Sequence, residues 1–187
     1  MFLNMHINTK RLILRPFTAE DFNDFHGLVS QKEVMKYLPE NVMSEEEARE
    51  IFDWLIECYV KNKPKVILKY TVGIIEKATN KLVGWCGFGP LDFDPSKIEV
   101  YYGLSSNYWG RGLATEATKA VLKYAFENAG LNEIFGVVVP DNIGSVKVIE
   151  KVGMKYQKNV SGITGEYSHY NGSILYALKK VEFEMSN

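Results

Sequence analysis

Asn107-Tyr108-Trp109-Gly110-Arg111-Gly112-Leu113-Ala114-Thr115 sets two glycines around one arginine and runs straight into a helical pattern. Leu113, Ala114, Ala117, Ala120, Val121, Tyr124 and Ala125 recur at helical spacing and mark one buried face. Glu116, Lys119, Lys123 and Glu127 fall on the other face, with Glu116/Lys119 and Lys123/Glu127 placed to pair. Upstream, Ile98-Glu99-Val100-Tyr101-Tyr102-Gly103-Leu104 is rich in β-branched and aromatic residues and reads as a strand. The unit is strand, glycine loop, helix.

That unit has a chemical use. The first turn of a helix has N–H groups without intrahelical partners, and the helix dipole makes that end positive. Glycine lets the preceding loop bring its own N–H groups close to a ligand with no Cβ in the way. An anion such as a pyrophosphate fits there, and Arg111 adds a charged donor. A lone Gly-x-Gly demands no more than positive φ, but the strand before and the helix after favour an anion site. The stretch is not a P-loop, which needs wider glycine spacing and then Lys-Ser/Thr. Nor is it a dinucleotide fingerprint, because Thr115 stands where a third glycine belongs and Ser105 to Trp109 separate strand from loop.

The chain has 187 residues, of which 46% are hydrophobic and 13% aromatic, enough for one domain (1–187) with a filled core. A net charge of −1 argues against a nucleic-acid partner held by bulk charge. Two cysteines, Cys58 and Cys86, give no disulfide framework. No apolar run reaches transmembrane length, and Met1 to Thr9 lacks a signal-peptide layout. The expectation is a cytoplasmic protein with no membrane partner.

Taken in order, residues 10–17 read as a first strand ended by Pro16. Thr18 and Asp21 form a capping box for a helix with Phe22, Phe25, Leu28 and Val29 inward. Residues 34–38 fit a short helical turn. Ser44 and Glu47 cap a second helix that buries Ala48, Ile51, Phe52, Leu55, Ile56 and Tyr59, with Cys58 as packing. Residues 66–75 and 82–88 read as a hairpin, and 89–96 as a loop in which Asp92 and Asp94 are solvated. Gly84, Gly87 and Gly89 point either to a bulge or close ligand, or to crowding by Trp85 and Phe88. Gly130 ends the central helix. The run Val137-Val138-Val139 lies in a strand (133–139) suited to a buried, parallel position reached by a right-handed crossover. Asn142 and Ser145 start a short helix ended by Gly153, and strands at 154–158 and 174–181 close a mixed sheet.

Two landmarks then coincide. Tyr108-Trp109-Gly110-Arg111-Gly112-Leu113-Ala114-Thr115-Glu116-Ala117 is the first. Asn142-Ile143-Gly144-Ser145 leading to Glu150-Lys151-Val152-Gly153-Met154 is the second. Together they resemble the GNAT superfamily of N-acetyltransferases, and within it the ribosomal-protein N-terminal (RimJ/RimL-like) subgroup, over residues 9–178.

The resemblance implies an α/β (α+β) mixed sheet, mostly antiparallel, with two splayed parallel strands and helices on both faces. It implies acetyl-CoA as cosubstrate, no metal, and a primary amine as acceptor, either a protein N-terminus or a small molecule. Gly110, Arg111, Gly112, Leu113, Ala114 and Thr115 would hold the pyrophosphate, through the N–H groups of Arg111 to Thr115. The pantetheine arm would pass Tyr102 and Leu104, with the Leu104 N–H polarising the thioester carbonyl. Asn142 and Ser145 would contact the arm, although helix capping alone accounts for such residues. Asn107 departs from the superfamily's usual Gln or Arg. Monomers and homodimers both occur among relatives.

Acyl transfer to an amine needs a neutral amine, and alkylamines are mostly protonated near pH 7. A base must take that proton. Glu99 matches the subgroup's strand glutamate, although Ile98 and Tyr101 replace its Ala and Gly neighbours; a strand carboxylate paired with a neighbour is the plainer alternative. Burial against Tyr101 would raise its pKa. Tyr102, Asn142 and Ser145 are candidates for the general acid, while alignment alone can supply much of the rate. Cys86 as a nucleophile lacks a nearby histidine, and His6, His26 and His169 lack metal-ligand spacing. Acceptor choice is expected in residues 34–44, 89–96 and 161–172, with Gly172 standing where the subgroup often has Asp. The competing reading is a non-catalytic acyl-CoA-binding module that keeps the loop without using Glu99.

Overall fold

The computed structural model describes residues 5–39, 41–63 and 66–185. The leader reading of Met1 to Thr9 rests partly on residues 1–4, and the 34–44 segment includes Glu40; these positions lie outside the described residues. Eight strands form one sheet in the order β1-β2-β3-β4-β5-β6-β8-β7. They are β1 (Ile7–Asn8), β2 (Leu12–Arg15), β3 (Tyr70–Glu76), β4 (Lys81–Leu91), β5 (Asp94–Leu104), β6 (Glu133–Val138), β7 (Lys155–Asn159) and β8 (Ile174–Lys179). Every neighbouring pair is antiparallel except β5 and β6.

The helices are α1 (Phe22–Val29), α2 (Lys32–Met35), α3 (Glu45–Lys61), α4 (Leu113–Glu127), α5 (Ile143–Lys151) and α6 (Lys180–Met185). Local chemistry starts two of them as expected. Ser44 Oγ accepts from the Glu47 N–H while the Glu47 carboxylate accepts from the Ser44 N–H, closing a reciprocal cap on α3. Asp21 does the same for Thr18, through a turn of 3₁₀ helix (Ala19–Asp21) that precedes α1. Asp21 also takes two bonds from the Arg15 guanidinium, at 2.6 and 2.8 Å, which fixes α1 to the end of β2. Phe17, Phe22, Phe25 and Phe52 then pack with ring centroids 5.1–5.6 Å apart. They lock α1 against α3.

Register assigns the two sheet faces. Cys86 sits opposite Tyr102 and Phe88 opposite Val100, so these side chains share a face with Leu104. Tyr102 reaches Ser145 of α5, which makes this the α4/α5 face. Trp85 sits opposite Gly103 and Gly89 opposite Glu99. Trp85 meets Phe25 with ring centroids 6.2 Å apart, so α1 covers the other face. Helices therefore pack on both sides, and β5 presents Glu99 and Tyr101 to one and Tyr102 and Leu104 to the other.

Several expectations need correction. The sheet begins with β1, and the chain adds α6 at its end; neither has a local signal long enough to read. β3 starts at Tyr70 rather than residue 66. The expected loop at 89–96 is strand except for the turn Asp92-Phe93, because Pro90 pairs with Ile98 across a register shift. Val139 lies beyond β6, and Val137 is only half-buried where Val138 is buried. Against β3 the register shifts beside Gly84, the bulge expected there, and the glycines of β4 also relieve crowding from the neighbouring strands. A Cβ on Gly84 would meet the Gly103 carbonyl oxygen at 2.2 Å, and one on Gly87 would meet the Tyr70 carbonyl oxygen at 2.3 Å. Among the described residues, no helix is long and apolar enough to cross a membrane.

Candidate active site

Gly110 and Gly112 both lie in the left-handed region, at φ +74° and +75°. Gly112 is the N-cap of α4 and brings no side chain to cap the helix. The first intrahelical bond runs from the Glu116 N–H to the Gly112 carbonyl, so the N–H groups of Leu113, Ala114 and Thr115 precede the ladder. A Cβ on Gly110 would meet nothing within 4 Å. The loop is thus an open cradle of main-chain donors with room for an anion. Arg111 is half exposed beside it, 3.4 Å from the Glu76 carboxylate and stacked over the Tyr108 ring at 5.2 Å.

The cradle is braced from the first strands. Arg11 Nη1 donates to the Arg111 carbonyl at 2.7 Å, and its Nε donates to Glu116 at 2.7 Å. Glu116 also accepts from the Thr9 hydroxyl at 2.6 Å and the Arg11 N–H at 2.8 Å. Burial works to raise the Glu116 pKa, but these hydrogen bonds hold the carboxyl below its ordinary range. The expected Glu116/Lys119 pair is therefore replaced by a strut to the turn between β1 and β2, whereas Lys123 and Glu127 do pair, at 4.0 Å. On the other side, Gln31 Oε1 accepts from the Ser106 N–H at 3.1 Å and ties the α1–α2 junction to the end of β5.

Among the described residues, β5 and β6 share one registered pair, Glu99 with Phe135. Beyond it no further pair is registered among the described residues, leaving an unpaired opening between the two strands. The Ser105 N–H bonds the Val83 carbonyl on β4, so by alternation the backbone groups of Leu104 and Tyr102 face the opening toward β6. The Leu104 carbonyl is taken by the Trp109 indole N–H at 2.7 Å, which clamps the loop to the strand end. The opening lies at the C-terminal ends of two parallel strands, with the α4 cradle at its mouth.

Glu99 stands where the strands divide and is buried. Burial pushes its carboxyl up to about 7; the Lys69 ammonium pulls it down and Asp92 adds to the rise. Lys69 Nζ lies 3.9 Å from Glu99 Oε1 and 3.8 Å from Asp92 Oδ1, and 4.7 Å from the Tyr101 ring centroid. Asp92 accepts from the Tyr170 hydroxyl at 2.7 Å, and Tyr101 hydrogen-bonds Thr71 at 2.8 Å. So Asp92 is a partner in a network, not the solvated loop residue expected. Tyr170 brings the 161–172 segment to the same place.

On the opposite face, Asn142 caps α5 by accepting from the Ser145 N–H at 3.1 Å. The Tyr102 hydroxyl donates to the Ser145 carbonyl at 3.1 Å, and burial raises its pKa, so it stays protonated. The structure brings Tyr102, Asn142 and Ser145 together beside the opening. Cys86 is fully buried, and burial pushes its thiol up to about 12, which removes it as a nucleophile near neutrality.

Sequence reasoning did not find Arg11, Gln31, Lys69, Asp92 or Tyr170. Each acts across a long sequence separation, Arg11 and Glu116 being 105 residues apart. One signal was present. Gly89 leaves a groove for the Lys69 stem, since a Cβ there would meet Lys69 Cδ at 3.0 Å.

A family model described as an acetyltransferase (GNAT) domain matches residues 11–155. The uncharacterized N-acetyltransferase YnaD of Bacillus subtilis is 34% identical over 151 residues, 81% of this chain and 83% of that protein. The uncharacterized N-acetyltransferase p20 of Bacillus licheniformis is 29% identical over 168 residues, 89% of each. The crystal structure of a GNAT-family acetyltransferase from Bacillus anthracis superposes with a TM-score of 0.79 at 27% identity, covering 95% of this chain and 100% of that one.

Proposed function

The chain belongs to the GNAT acetyltransferase family, whose acetyl donor is acetyl-CoA, and on that premise we propose direct acetyl transfer to a primary amine with Glu99 as the base. The acceptor is a protein N-terminal amine or a small-molecule amine. The observation that carries the reading is the position of Glu99, buried at the one residue of β5 registered with β6 among the described residues. A carboxylate tuned to about 7 is matched to taking a proton near neutral pH.

The cradle residues Gly110 to Thr115 fit a diphosphate, because the first N–H groups of α4 precede its hydrogen-bond ladder and a Cβ at Gly110 would meet only open space, with the Arg11 guanidinium 3.6 Å from that position at Gly112. When bound, acetyl-CoA supplies the activated acyl group; the chain's residues orient it. The opening between β5 and β6 admits an arm, and the Leu104 and Tyr102 N–H groups line it. Strand geometry separates their roles. At about 3.3 Å per residue, the Tyr102 N–H is about 10 Å along the strand from Glu99 and that of Leu104 about 17 Å. We assign the polarising donor to Tyr102 and leave Leu104 to hold the arm. This shifts that role two residues from the sequence-based expectation.

The two faces divide the work. Glu99 receives the amine's proton on the α1 face. The Tyr102 hydroxyl and the Asn142 side chain stand on the α4/α5 face, where Tyr102 returns a proton to the departing thiolate and Asn142 and Ser145 position the arm. Incubating the protein with acetyl-CoA and a panel of amines, while following free thiol, tests the reading. Thiol release that depends on both the amine and Glu99 supports it. CoA-stabilised protein that releases no thiol with any amine contradicts it.

A further inference from the structure

The chain carries a primary amine of its own at the base. Lys69 is aimed there by construction: its stem crosses β4 over Gly89, which pairs directly with Glu99. Its Nζ comes to rest among Glu99, Asp92 and the Tyr101 ring, at 3.9, 3.8 and 4.7 Å. The two carboxylate distances exceed hydrogen-bond range, so the ammonium is held by charge and can re-aim by rotation of its stem. The side chain keeps 26% of its surface exposed. Tyr101, under the ammonium, adjoins Tyr102, whose N–H faces the opening between the strands.

We propose that Lys69 is an acetyl acceptor in cis: without an external amine, the protein acetylates its own Lys69 Nζ from bound acetyl-CoA. The inference rests on the transfer reading above. In the step, Glu99 takes a proton from the Lys69 ammonium, and the nitrogen lone pair forms the N–C bond to the acetyl carbonyl carbon. The C–S bond breaks with its electron pair on sulfur, and the thiolate leaves as the thiol once protonated. Lysine ammonium and acetyl-CoA thus give acetyl-lysine, CoA thiol and one released proton, with no other reactant.

The product changes the site. An acetyl-lysine carries no charge, so Asp92 and Glu99 face one another without the cation between them. The Lys69 charge is what holds the Glu99 carboxyl down against burial, so its loss leaves a carboxyl that keeps its proton more firmly. The amide also occupies the place where an acceptor ammonium would lie. Self-acetylation is therefore a brake set by donor without acceptor, and an external amine competes with it.

The experiment incubates the full chain with acetyl-CoA and no amine, and reads intact mass and a peptide map over time. The expected result is one acetyl group on Lys69, at a rate independent of protein concentration and slowed about a hundredfold in Glu99→Gln, the scale of general-base catalysis. Adding a competent amine slows it, and Lys69→Arg takes up no acetyl at that position. An unmodified Lys69, or one modified no faster than exposed lysines such as Lys123 and Lys155, overturns the inference. So does modification that persists unchanged in Glu99→Gln. If thiol release with external amines continues in that case, only the self-acetylation fails; if no amine releases thiol, the transfer reading falls with it.

Discussion

Glu99→Gln separates a buried working base from an ordinary strand carboxylate, and it has a stability signature as well as a kinetic one. Burial raises the carboxyl from 4.5 to about 7 in the folded protein. The folded state therefore holds more protons than the unfolded state between these values, and stability falls as pH rises through that window. At about 1.4 kcal/mol per pH unit, the loss comes to about 3 kcal/mol by pH 8. Glutamine does not titrate and loses nothing. The stability difference between variant and parent should shift by about 3 kcal/mol in the variant's favour between pH 4.5 and pH 8, or about 6–12 °C in Tm for a chain of this size. Any constant penalty from losing the Lys69 partner cancels in that comparison. In kinetics, the parent's rate rises with pH through about 7, and the variant runs about a hundredfold slower without that limb. CoA affinity stays the same. Denaturant melts at several pH values and a pH–rate profile read both effects. Parallel stability curves for the two proteins, or an unchanged rising limb in the variant, refute the reasoning.

Other outcomes are equally specific. Gly112→Val forces a β-branched residue to φ +75° and should cost about 1–2 kcal/mol of strain while weakening CoA binding, measured by calorimetry. Arg11→Ala removes the guanidinium bonds to the Arg111 carbonyl and to Glu116, so CoA affinity should drop about tenfold, about 1.4 kcal/mol, with the KM for the amine little changed. Asp21→Ala leaves the Arg15 guanidinium without its carboxylate partner, keeping only its bond to the Pro16 carbonyl, and uncaps the start of α1; a loss of about 3 kcal/mol in urea melts is expected. Cys86→Ser should leave transfer insensitive to thiol reagents and still active, since that thiol is fully buried and held protonated.

The parts legible in the sequence are those whose physics is local. Thr18 with Asp21 and Ser44 with Glu47 announce helix starts within four residues, and both caps form. Glycine at 110 and 112 permits positive φ and both residues take it, and the helix that follows lies where the apolar spacing puts it. Register and long-range pairing are not local. Pro90 and Pro95 read as loop, yet β4 and β5 continue past them because the partner strand holds the register. The Lys69–Asp92–Glu99 cluster and the Arg11–Glu116 strut join residues that no window of sequence contains. The loop was therefore readable, while its braces and the tuning of its base were not.

The central claim is that main-chain donors at the start of α4 hold a diphosphate while the arm attached to it enters between β5 and β6. A crystal structure of the complex with CoA tests this most directly. The account predicts phosphate oxygens within hydrogen-bond distance of the N–H groups from Arg111 to Thr115, and the pantetheine arm bonded to Tyr102 and Leu104. CoA bound elsewhere, or β5 and β6 paired along their full length with the ligand present, contradicts it.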